Sequence, residues 1–104
     1  MRHHQSGRTL QQHQTSLPAA DVLGAARAFF AQQSGIYAAF VEREGPNWMS
    51  LRGQGGEEIV IAAAAEGGVT AVNASSYMFD AQVAQFLSTL PPVSHAAVGA
   101  GAAS

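Results

Sequence analysis

Trp48 and Arg52 are the residues of this chain best suited to contact a ligand or a partner. They lie four positions apart in a stretch with strand character, so their side chains share one strand face. An aromatic ring and a guanidinium together hold a planar or carboxylate-bearing ligand by stacking and a bidentate ion pair. We expect Tyr37 to lie nearby on a neighbouring strand. In the alternative reading, Trp48 packs at a sheet edge and Arg52 pairs with Glu57 or Glu58 across a turn.

The histidines offer little for catalysis or metal binding. His3, His4 and His13 stand in a polar leading stretch without cysteine or a patterned carboxylate, whereas a metal site needs ordered ligands and a second shell that holds them. Residues 17–92 contain neither histidine nor cysteine, which are the commonest nucleophiles and bases in enzymes. We therefore expect no catalytic residues, no metal and no cofactor, and the sequence does not favour an enzyme.

The turns resemble binding motifs only superficially. Glu42 and Glu44 flank Arg43 at the end of a predicted strand, where charged residues normally keep a turn solvated. The glycine-rich segment 53–56 lacks the Lys and Ser/Thr of a phosphate-binding loop and leads into a strand rather than into a helix. Both segments are predicted to be plain turns.

Composition limits the classes of protein that fit. The 104-residue chain has no cysteine, so disulfides and thiolate metal sites are excluded. Its formal net charge is −2, and a nucleic-acid-binding protein needs a cationic face instead. No apolar run approaches the roughly 20 residues of a membrane span, and the first residues lack the apolar core of a secretory signal. We expect a cytoplasmic protein that binds neither nucleic acid nor membrane.

A helix is predicted at each end of the patterned region. Ser16, Pro18 and Asp21 are typical of a helix N-terminus, and an apolar stripe of helical spacing extends to about Gln33. The second helix begins between Ser76 and Asp80 and is stopped by the prolines at 91–92. The two stripes consist of Val22, Ala26, Phe29 and Phe30, and of Phe79, Val83, Phe86, Leu87 and Leu90.

Between the helices the apolar period changes to two, which predicts four short strands. The first begins at Ile36, and the others are Trp48–Arg52, Glu58–Ala65 and Val69–Ala74. The glycines at 67–68 supply the positive φ angles that a tight hairpin turn requires. Short connections between consecutive strands predict an antiparallel meander.

The predicted fold class is α+β, with an N-terminal helix, a four-stranded antiparallel meander and a C-terminal helix. Both helices are expected on one sheet face, because each must bury an apolar stripe. The domain spans residues 17–92. Residues 1–16, rich in Gln and His, and residues 93–104, rich in Ala and Gly, are expected to be disordered tails.

The second sheet face is predicted to need a cover. Its residues are apolar or small instead of clearly polar, which is unusual for a face in water. A domain this small without disulfides also gains stability readily from a ligand or a partner subunit. Our leading hypothesis is a non-catalytic interaction module that self-associates as a homodimer through this uncovered face or an edge strand. The candidate contact residues are Tyr37, Val41, Trp48, Arg52 and Val60.

An antiparallel sheet closed by a C-terminal helix resembles the layout of the helix-grip proteins, which hold lipids or polyketides between sheet and helix. The layout is equally similar to the small TBP-like and roadblock-like α+β folds, and no site residue is carried over from any of them. The helix-grip resemblance implies the alternative function, a small apolar-ligand-binding domain. In that case Trp48, Arg52 and Tyr37 would shape the entrance of a pocket between sheet and helices.

Overall fold

A five-stranded antiparallel sheet is the framework of the structure, a computed structural model that describes residues 8–93. The strands lie side by side in the order β1-β5-β4-β3-β2, so the first strand pairs with the last. In chain order the elements are β1 Arg8–Thr15, α1 Ala19–Ala31, β2 Ala39–Glu44, β3 Trp48–Gly53, β4 Glu58–Glu66, β5 Val69–Tyr77 and α2 Asp80–Thr89. The α+β class and the antiparallel sheet are as the sequence predicts.

Both helices pack on the same face of the sheet. Alternate strand residues point into a core that also receives the apolar stripes of α1 and α2. Phe29, Phe30 and Phe86 meet there with ring centroids 5.0 to 5.7 Å apart, so aromatic rings fill the space between the two helices. The strand residues of this core are Ala39, Met49, Leu51, Ile59, Ile61, Ala63, Val72 and Ala74.

The hairpin between β4 and β5 has the geometry that its two glycines predict. Gly67 and Gly68 have φ angles of 60° and 89°, and Glu66 pairs directly with Val69. Positive φ at both central positions is the mark of a type I′ turn, whose twist matches that of the flanking strands. The turn fixes the register of β4 on β5, and with it the residues on each face.

The prediction of four strands is wrong, because the structure has five. The additional strand is β1, which lies within residues 1–16, the stretch that the sequence analysis assigns to a disordered tail. All eight of its residues pair with β5 in an unbroken register from Arg8 opposite Tyr77 to Thr15 opposite Thr70. Residues 1–7 and 94–104, which complete the two predicted tails, lie outside the described residues.

Polar contacts attach β1 to α2, which explains why a hydrophobic pattern does not reveal this strand. At one end, Thr9 Oγ1 donates to Asp80 Oδ2 at 2.8 Å, and Gln11 Nε2 donates to the Asp80 carbonyl at 3.0 Å. At the other end, the buried Thr15 hydroxyl donates to the Pro91 carbonyl and accepts from the Leu17 amide. The strand is therefore held by backbone pairing and hydrogen bonds rather than by an apolar stripe.

Some element boundaries also differ from the predicted ones. Tyr37 belongs to a single 3₁₀ turn, Gly35–Tyr37, and the strand predicted from Ile36 begins only at Ala39. At the other end of the sheet, β5 continues to Tyr77 because its last residues pair with β1. Neither α1 nor α2 is long and apolar enough to cross a membrane.

Thr15→Val should lower the free energy of unfolding by about 1–3 kcal/mol, because it removes the hydrogen bond from Thr15 to the Pro91 carbonyl and leaves the Leu17 amide without its acceptor. Thr15→Ser keeps the hydroxyl and serves as the matched control, with a smaller loss. Urea unfolding followed by circular dichroism measures both. Equal stability of the Val variant and the wild type would contradict the attachment of β1 to α2.

Candidate functional site

The sheet face opposite the helices, here called the open face, has no element of residues 8–93 packed on it. Each strand contributes the residues that alternate with its core residues. In β3 these are Trp48, Ser50 and Arg52. The other open-face residues are Arg8, Leu10, Gln12 and Gln14 of β1, Phe40 and Arg43 of β2, Glu58, Val60, Ala62, Ala64 and Glu66 of β4, and Val69, Ala71, Asn73, Ser75 and Tyr77 of β5.

Large apolar side chains stand around a floor of small residues on this face. Leu10, Phe40, Tyr77 and Trp48 are 62%, 56%, 45% and 38% exposed. The strands between them carry smaller residues: Ala62, Ala64, Ala71 and Ser75. An exposed apolar surface rimmed by polar residues is typical of an interaction site.

A row of four alternating charges crosses one end of the open face. Arg8 Nη1 lies 3.6 Å from Glu58 Oε1, Glu58 Oε2 lies 3.9 Å from Arg52 Nη2, and Arg52 Nη2 lies 2.7 Å from Glu42 Oε1. The hydrogen bond from Arg52 to Glu42, together with the charge of Glu42, raises the pKa of Arg52 above its usual value. We call these four residues the charge row.

Trp48 is positioned by the turn between β2 and β3. Its indole lies directly against the Cα of Gly45, so closely that a Cβ at this position would collide with the ring. The Gly45 amide donates to the Trp48 carbonyl at 2.9 Å, which closes the turn. The absence of a side chain at Gly45 thus lets the tryptophan lie at the corner of the open face.

Ser50 lies at the centre of β3, opposite Val60 of β4, and is only 3% exposed. Its hydroxyl has no hydrogen-bond partner in the structure. A buried polar atom without a partner costs free energy. Ser50 is therefore already covered by the side chains around it.

The structure brings together three of the five candidate contact residues. Trp48, Arg52 and Val60 share the open face, as their places on β3 and β4 require. Val41 instead points to the helix side and packs against the core. Tyr37 also lies on the helix side, where its ring meets the buried Phe79 ring edge-on at 6.1 Å.

This separation bears on the predicted pocket entrance. Trp48 and Arg52 lie on one side of the sheet and Tyr37 on the other, so the three do not surround a common opening. Arg52 lies near Glu58, one of the two pairing partners that the sequence predicts for it. It lies closer to Glu42, which the sequence did not predict as a partner.

A shallow depression of about 560 Å³ lies at the β1–β5 corner of the sheet. Amide and carboxylate groups contribute much of its lining, which consists of Gln12, His13, Gln14, Glu66, Ala71, Val72 and Asn73. Such a lining does not suit the apolar ligand that the helix-grip layout implies. Within the described part of the chain, no group of three or more His, Asp or Glu side chains could hold a metal ion.

Several open-face residues escaped the sequence analysis. Leu10 and Arg8 lie in the segment taken for a tail, and the position of Tyr77 follows from the extension of β5. Phe40 lies in the strand predicted to begin at Ile36, but Ile36 belongs to the 3₁₀ turn before β2, so counting from Ile36 does not place Phe40 on a face. The alternation of Phe40 with Ala39, a small residue that faces the core, was the signal that could have assigned Phe40 to the open face.

Ser50→Ala should leave the free energy of unfolding unchanged or raise it by up to about 1 kcal/mol, because it removes an unpaired buried hydroxyl. Ser76→Ala is the matched control, a second buried strand serine whose Oγ donates to Asp80 Oδ1 at 3.2 Å. Loss of this hydrogen bond should lower the free energy of unfolding by about 1–2 kcal/mol. Chemical denaturation compares the two, and an equal loss in both variants would show that Ser50 has a bonding partner.

No protein-family model, curated protein or solved structure matches this chain.

Proposed function

We propose that this protein is a non-catalytic self-association module whose homodimer forms when the open faces of two copies pack together. The observation that carries the proposal is the open face itself, where four large apolar side chains stand exposed around small residues. Aromatic residues and Arg are enriched at protein interfaces, and this face has three aromatic residues and three arginines, Arg8, Arg43 and Arg52.

The size of the open face fits a second copy. Five strands about 4.8 Å apart, with roughly 25 Å of length each, give a face of about 600 Å² per copy. Two such faces bury up to about 1,200 Å² when they overlap completely, which is the lower end of the range for specific interfaces. Face-to-face packing of two sheets is also an established way to cover an antiparallel sheet.

The charges of the open face suit a second copy better than a charged partner. The charge row contains two arginines and two glutamates, so it is neutral as a whole. A polyanion or a strongly basic partner would meet equal numbers of attractive and repulsive groups. A second copy carries the same alternation and can match it.

Val60→Glu should weaken the dimer by about 100-fold or more, because symmetry places two unpaired carboxylates in the middle of the interface. Sedimentation velocity over a range of concentrations measures the change in Kd. Ala28→Glu is the matched control, since Ala28 is exposed on α1 on the far side of the molecule. Circular dichroism verifies that both variants are folded.

Two results would contradict the proposal. The wild-type chain could remain monomeric at the highest concentration tested, or folded Val60→Glu could dimerise as tightly as Ala28→Glu. In either case the open face would be a surface in contact with solvent and not an interface.

A further inference from the structure

The charge row is an ordered array and not four independent surface charges. Arg52 is held on both sides, by Glu42 at 2.7 Å and by the Gly56 carbonyl, which accepts from Arg52 Nη1 at 2.9 Å. Arg8 is held by Ser75, whose hydroxyl accepts from Arg8 Nε at 3.0 Å. The positions of positive and negative charge across the sheet are therefore defined.

We propose that the charge row sets the orientation of the two copies in the homodimer. The two-fold axis runs parallel to the strands, between β3 and β4, so that Arg52 of each copy faces the partner's Glu58. This inference rests on the proposed function, since it specifies how the two open faces meet. It makes the dimer an aligned sheet sandwich in which the partner covers β2, β3, β4 and β5, while β1 lies beyond the partner's edge.

Symmetry and charge select the position of this axis. A two-fold axis parallel to the strands reverses the order of the strands in the facing copy. If it passed through β4, Glu58 would face the partner's Glu58, and like charges in contact are costly. Moving it by half a strand spacing towards β3 replaces this repulsion by two identical contacts of opposite charge.

Side-chain sizes along the same axis agree with the charges. β3 and β4 pair with Trp48 opposite Ala62 and with Ser50 opposite Val60. The axis therefore places Trp48 over the partner's Ala62, and Val60 over the partner's Ser50. On β3 and β4 the larger side chain of each facing pair thus meets a smaller one, which allows the two faces to interdigitate there.

An axis at right angles to the strands would give a less favourable match. It would turn the charge row onto the far end of the partner sheet, where Glu58 would lie over the partner's Ala62. A carboxylate buried against a methyl group has no bonding partner. With the axis parallel to the strands, Glu58 instead faces the partner's Arg52, and Arg52 faces the partner's Glu58.

Paired charge reversals test the orientation. Arg52→Glu and Glu58→Arg should each weaken self-association by about 100-fold, because each places two like-charge contacts in the homodimer. Mixed in equal amounts, the two variants should form a heterodimer with a Kd within about tenfold of the wild-type value, since the facing charges are again opposite. Native mass spectrometry distinguishes the heterodimer from both homodimers by mass.

A second ion pair provides the matched control. Arg27 Nη2 of α1 lies 2.6 Å from Glu44 Oε1, with both side chains about half exposed. Reversing these two charges, as Arg27→Glu and Glu44→Arg, should leave dimerisation at the wild-type level. The control separates contacts across the interface from general effects of charge reversal.

A cross-linking experiment tests the same orientation without changing the charge row. The axis places Phe40 over the partner's Tyr77, at the two outer strands of the interface. Since the chain has no cysteine of its own, Phe40→Cys mixed with Tyr77→Cys should give a cross-linked dimer with a bismaleimide of about 10 Å span, close to the distance between packed sheets. Either variant alone should give little cross-linked dimer, because its two cysteines do not face each other.

The outcomes separate this inference from the proposed function. If wild type dimerises but the mixed variants recover no heterodimer, or the cysteine mixture gives no more cross-linking than either variant alone, the orientation is wrong and the interface proposal stands. If the wild type is monomeric in the same experiments, both fail. Should the charge variants be unfolded by circular dichroism, the cysteine pair decides the orientation.

Discussion

The structure depends on one constraint: residues 8–93 form two α-helices, and both are needed to cover a single face of the sheet. Helices about 10 Å across cover roughly 20 Å together, which is close to the width of five strands spaced about 4.8 Å apart. α1 packs over β4 and β2, α2 packs over β5 and β1, and their apolar stripes join one core. No described helix remains for the opposite side. The side chains of the open face therefore decide whether that face is in contact with solvent or with a partner.

Strand β1 determines how large that face is. By pairing along the whole of β5 it adds Arg8 and Leu10 to the open face, and Arg8 supplies the first member of the charge row. Side-chain hydrogen bonds also attach β1 to Asp80 at the start of α2 and to Pro91, just after the end of that helix. A polar edge strand thus joins the helix side of the sheet, through α2, to the open face, through Arg8 and Leu10.

The elements that the sequence predicts are those whose formation is local. Gly67 and Gly68 specify their hairpin through backbone conformation alone, and the stripe from Val22 to Phe30 specifies α1 through helical periodicity. Pro91 ends the second helix by the same kind of local rule. These signals require no knowledge of the rest of the fold.

The features that escape prediction depend on contacts between distant residues. β1 has no apolar alternation, and its pairing partner lies about sixty positions further along the chain. Arg52 pairs with Glu42 through a bulge in β2 between Val41 and Arg43, a shift of register that spacing does not indicate. Part of the candidate site, Trp48, Arg52 and Val60, was nevertheless accessible from alternation along two strands.

The measurement that tests the central claim most directly is native mass spectrometry of the full chain, purified without denaturation. Burial of the open face against a second copy predicts a species of twice the chain mass with no added ligand. A monomer carrying extra mass would instead show that a small molecule occupies the protein, and a bare monomer at high concentration would show that the open face needs no cover.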